Sequence, residues 1–67
     1  MIEKGTIQHR DVTSGNTDGK YWKRVTLTIN GKKFSSFNEQ DARFNESDYV
    51  EVEYEQKGKY NNIQSIS

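Results

Sequence analysis

The sequence predicts an all-β domain, five strands closing into a small barrel in the order β-β-β-short α-β-β. Three observations carry that expectation. Val25-Thr26-Leu27-Thr28-Ile29 and Val50-Glu51-Val52-Glu53-Tyr54 alternate apolar and polar residues, the period of a half-buried strand. Asn30-Gly31 stands between two such segments, and both residues tolerate the positive φ that a two-residue type I′ turn demands. No proline interrupts the pattern, and residues 38–47, unlike the strands on either side, lack alternation.

The first strand is predicted over Ile2 to Val12, with a bulge or sharp bend at Gly5. Ile7 is expected inside, and Thr6, Gln8 and Arg10 outside. Thr13 to Gly19 is a polar, glycine-containing stretch and is predicted as a loop. Residues 20–30 and 32–37 form a hairpin about the Asn30-Gly31 turn. The turn sets the register: Ile29 faces Lys32, Thr28 faces Lys33, Leu27 faces Phe34, Thr26 faces Ser35, Val25 faces Ser36, and Arg24 faces Phe37. Val25, Leu27, Ile29 and Phe34 then share the inner face. Trp22, Arg24, Thr26, Thr28, Lys33, Ser35 and Phe37 share the outer one.

Asn38 is placed to cap a short helix, with acidic residues in its first turn and Phe44 as its anchor in the core. Asp48 to Glu55 is the fourth strand, with Val50, Val52 and Tyr54 inside and Glu51, Glu53 and Glu55 outside. A two-residue turn at Lys57-Gly58 leads to a fifth strand from Lys59 to Ile66, with Tyr60 outside and Ile63 inside. Ile63 and Ile66 differ in parity, so the end of this strand must twist or leave the sheet.

Sixty-seven residues make one domain, 1–67. A chain this short buries only about 60% of its unfolded surface. Without cysteine it has no disulfide and no thiolate metal site, and the single His9 cannot replace one. No cofactor is expected. No apolar run approaches a membrane span or a secretory segment, so the expected location is the cytoplasm, that of the host cell for a phage-encoded protein.

The formal net charge is zero, which argues against gripping duplex DNA through overall positive charge. The charges are nevertheless sorted along the chain. Lys20, Lys23, Arg24, Lys32 and Lys33 cluster around the Asn30-Gly31 hairpin. Glu46, Asp48, Glu51, Glu53 and Glu55 cluster in and before the fourth strand. A local potential can therefore survive zero net charge. The carboxylates show no spacing that raises one pKa or holds a metal, so no enzyme is expected.

An outer face carrying aromatic rings and cations suits stacking on unpaired bases beside a phosphate backbone. The segments Lys20 to Lys32, Asp48 to Val52 and Lys57 to Ile66, in this strand order, resemble small single-stranded DNA-binding OB-fold domains of the phage type or the archaeal replication-protein-A-like type. The resemblance spans nearly the whole chain and is architectural. It implies a ligand crossing strands 2 and 3, over Trp22, Arg24, Thr26, Lys33, Ser35 and Phe37. Flanking loops over Ser14 to Lys20 and Gln56 to Tyr60 would bring Lys20, Lys57, Lys59 and Tyr60, and Arg10 would join from the first strand.

The sequence departs from the bacterial single-stranded DNA-binding type in its very short helical segment and in having no acidic recruitment tail after Ser67. The cold-shock aromatic motif is also missing. The expected function is non-enzymatic, largely sequence-independent single-stranded DNA binding. The expected partners are single-stranded DNA, or RNA, together with a second copy of the chain or replication and recombination proteins. Two alternatives stand beside it, an RNA-binding OB domain and a protein-interaction module using Trp22 and Phe37 as its anchors.

Overall fold

The computed structural model describes residues 1–67. Five strands are present: β1 (Ile2–Thr17), β2 (Lys20–Ile29), β3 (Lys32–Ser36), β4 (Tyr49–Lys57) and β5 (Tyr60–Ile66). They form one sheet in the order β1-β2-β3-β5-β4, and β4 pairs back onto β1, so the sheet closes in a ring. Every contact is antiparallel except β3–β5, which is parallel and joined at Ser35 and Asn62.

The Asn30-Gly31 turn has left-handed φ at both residues, 53° and 77°. Its register pairs Leu27 with Phe34 and Thr26 with Ser35, as the sequence predicts. Val25, Leu27, Ile29 and Phe34 are fully buried, joined in the core by Ile7, Val50, Val52, Tyr54 and Ile66. Phe34 meets Tyr54 edge to face, with ring centroids 4.8 Å apart. Phe44 packs against this core, as the sequence predicts.

Four features differ in detail from expectation. β1 does not stop at Val12 but continues to Thr17, so the polar stretch from Thr13 is mostly strand. The turn is only Asp18-Gly19, with φ of 53° and 77°, the same geometry as Asn30-Gly31. The bulge lies between Ile7 and His9, not at Gly5. It bends β1 from β4, its partner through Thr6, onto β2. Gly5 instead permits a close approach, since a Cβ there would sit 2.9 Å from Ile29 Cγ2.

The other two differences lie downstream. Residues 39–43 form a 3₁₀ turn rather than an α-helix, capped by the Asn38 side chain accepting from the Gln40 N–H. Its Asp41 is buried and accepts a hydrogen bond from the Ser36 hydroxyl. The last hairpin turns at Gly58-Lys59, with Lys57 opposite Tyr60. A two-residue hairpin turn needs positive φ at its first central residue, and Gly58 takes it, at 60°, more readily than Lys57 would. The slip moves partners by two, so Tyr60 stays outside and Ile63 inside. A second bulge, opposite Glu53 and Tyr54, skips Gln64 and returns Ile66 to the core opposite Val52.

Glu3 ties the start of β1 to the β2–β3 turn. Its carboxylate accepts from the Asn30 amide at 2.7 Å and from Lys32 Nζ at 3.0 Å. The Asn30 hydrogen bond, then that of Lys32, hold the Glu3 carboxyl below the usual glutamate range. A carboxyl lowered by folding stabilises the native state above its unfolded value, and that contribution is lost as pH falls through the folded one. Wild type is therefore expected to have a higher urea midpoint than Glu3→Gln at pH 7. The gap should close as pH falls below about 4, the ordinary glutamate range. A gap that persists unchanged at pH 2 would assign the effect to something other than this carboxylate.

Candidate functional site

The position of β1 and β2 beyond the ring decides what the outer face looks like. β2 pairs with β3 only from Val25 onward, and β1 pairs with β4 only as far as Thr6. Thr13–Thr17 and Lys20–Arg24 therefore form a two-stranded arm that projects from the closed sheet. Beside the base of the arm, the outer faces of β2, β3 and β5 enclose two adjoining concavities, which share Arg24, Ser35 and Tyr60.

Most of the predicted residues meet here. Thr26, Lys33 and Lys59 line the first concavity, and Phe37 and Lys57 line the second, around the shared Arg24, Ser35 and Tyr60. β2 supplies Arg24 and Thr26 at a spacing of two, which keeps both outward. The β2–β3 register sets Lys33 and Ser35 beside them. Phe37 follows the end of β3 and is 67% exposed, and Tyr60 opens β5 at 55% exposed. Both residues are thus largely open to solvent. Lys59 Nζ lies 5.6 Å from the Tyr60 ring centroid, within cation–π range.

Arg10 is a correction. The bulge after Ile7 reverses its parity, so it pairs with inward-facing Leu27. Its guanidinium donates to the Ala42 carbonyl at 2.8 Å, bracing the 3₁₀ turn, and it lines neither concavity. The same reversal brings Asp11 outward, opposite Thr26, into the groove lining. Sequence parity missed Asp11 because the bulge position decides it. Asn61 and Asn62 are also groove residues that sequence reading passed over. Asn61 donates its amide to the Lys33 carbonyl at 3.0 Å, helping to close the β3–β5 seam.

Trp22 and Lys20 stand on the arm, outside both concavities. Trp22 is 36% exposed, neither part of the core nor freely projecting. It pairs with Gly15, and a Cβ on Gly15 would lie 2.6 Å from its Cζ2. The indole therefore covers the glycine backbone, and its Nε1 donates to Thr17 Oγ1 at 3.1 Å. A large ring lying on a cross-strand glycine stiffens a ribbon that has no third strand. Gly15, seven residues before Trp22 and equidistant from the Asp18-Gly19 turn, was the sequence signal for this contact.

The charges divide by side. Lys4 pairs with Glu51 at 3.3 Å, and Lys32 with Glu3. Arg10 and Arg43 bond to backbone carbonyls. Arg24, Lys33, Lys57 and Lys59, in the groove, make no ion pair, nor does Lys20 on the arm. The Arg24 Nε is enclosed and without a hydrogen-bond partner. Glu51 and Glu53 stand on the part of β4 that lines neither concavity, whereas Glu55 lies opposite the groove residue Asn62 across the β4–β5 ladder, and the terminal Lys57 of β4 lines the second concavity. Four cations and one carboxylate in a concavity concentrate positive potential despite zero net charge.

No three His, Asp or Glu side chains converge as a metal-binding group, and no helix is long and apolar enough to cross a membrane. No family model, curated protein or solved structure matches the chain.

Proposed function

We propose that this chain is a non-enzymatic single-stranded DNA-binding domain of the OB type, holding its ligand in the groove across β2, β3 and β5. The observation that carries the reading is the set of four cations without ion pairs, Arg24, Lys33, Lys57 and Lys59, around two exposed rings, Phe37 and Tyr60. Cations track the phosphates, and rings stack on bases whose faces only an unpaired strand exposes. The strand order, with a helical turn between β3 and β4, supports the OB assignment. Glu51 and Glu53, on the stretch of β4 outside the groove lining, disfavour phosphate there.

The test is fluorescence anisotropy of a labelled oligothymidylate about 12 nucleotides long, long enough for one OB-type site. With three or four phosphates neutralised, affinity should fall about 20- to 50-fold between about 50 and 200 mM salt. A duplex of the same length should bind more weakly, and an RNA oligonucleotide run in parallel separates DNA from RNA preference. Salt-insensitive self-association with no oligonucleotide binding would overturn the reading in favour of a protein-interaction module.

A further inference from the structure

Asp11 is the one carboxylate in the groove, and its surroundings make it conspicuous. Arg24, Lys33 and Lys59 line the same concavity, yet Asp11 forms no ion pair with any of them and no side-chain hydrogen bond. It is exposed and faces Thr26 across the β1–β2 ladder. A free carboxylate repels phosphate, so a bound strand must place something else against it. Along a DNA strand the groups that a carboxylate accepts from are base N–H donors.

We infer that Asp11 is a base-reading residue that gives the groove a preference for guanine at one position. This rests on the nucleic-acid reading above. Guanine offers N1–H and N2–H side by side, matching the two carboxylate oxygens in a bidentate, charge-assisted pair. Cytosine and adenine offer one exocyclic amine beside an acceptor nitrogen. Thymine offers N3–H between two carbonyls, both of which the carboxylate repels. Asn61 places a further acceptor oxygen in the same lining, one of its two amide N–H groups being spent on the Lys33 carbonyl. The expected order is guanine first, cytosine and adenine next, thymine last.

The experiment compares wild type with Asp11→Asn, a substitution of equal size at an exposed position with no contacts to lose. The probes are an oligothymidylate, the same strand with one central guanine, and the same strand with inosine there, which keeps N1–H and lacks the N2 amine. Wild type should bind the guanine strand about tenfold tighter than oligothymidylate, the low end for a bidentate base contact, with inosine between them. Asp11→Asn should bind oligothymidylate more tightly, because repulsion is removed, and should lose the guanine preference. Salt-dependent binding with guanine and thymine alike in wild type would overturn the inference and leave the strand-binding reading standing. So would a preference that survives in Asp11→Asn. Failure of every strand to bind would overturn both.

Discussion

Phe34→Ala is expected to abolish cooperative folding near room temperature. The Phe34 ring is fully buried, sits opposite Leu27, and packs edge to face on Tyr54. Removing a buried phenylalanine costs about 3–5 kcal/mol in transfer and cavity terms. Only 12 of 67 residues are buried here, so the core has little reserve. A domain of this length has a total stability on the order of 3–10 kcal/mol. Urea melts followed by circular dichroism should show the transition lost or moved close to zero denaturant. Phe37→Ala, three residues on, is the control. Its ring is 67% exposed, so stability should change by no more than about 0.5 kcal/mol. If the two variants exchanged behaviour, the β2–β3 register would be off by one residue.

That register was legible from two residues. Asn30-Gly31 admits one tight turn, the turn fixes which residues pair, and alternation decides which face is buried. The inner and outer sets of β2 and β3 follow without further information, which is why Arg24, Thr26, Lys33 and Ser35 converge where expected. The Gly58 hairpin kept its faces despite a wrong turn position, because the slip changed each partner by an even number of residues.

Bulges defeat the same reasoning, since one extra residue inverts everything downstream. The bulge after Ile7 turned Arg10 inward and Asp11 outward, so Asp11 and not Arg10 lines the groove. No residue type marks that position. Gly5 attracts the bulge by composition, but it serves the close approach of Ile29. The arm was hidden differently. Thr13 to Thr17 is as polar as a loop because a ribbon outside the ring has no core to face. Asp18-Gly19 nonetheless belongs to the same turn class as Asn30-Gly31.

The arm also decides which aromatic ring matters most for binding. Tyr60→Ala is expected to weaken oligonucleotide binding about 5- to 150-fold, the equivalent of roughly 1–3 kcal/mol for one stacked base. Tyr60 lines both halves of the groove, carries the Lys59 ammonium over its ring, and is 55% exposed. Tyr60→Phe should keep nearly all of the affinity, because stacking uses the ring and not the hydroxyl. Trp22→Ala should cost less than Tyr60→Ala, although tryptophan is intrinsically the better platform. One face of the indole already lies on Gly15, and its N–H is held by Thr17. Anisotropy titrations of the three variants at one salt concentration make the comparison. A greater loss for Trp22→Ala would move the stacking site from the groove onto the arm. The cations in the concavity would then act as a steering field, and the strand would lie along Lys20, Trp22 and Arg24, the outward row of β2.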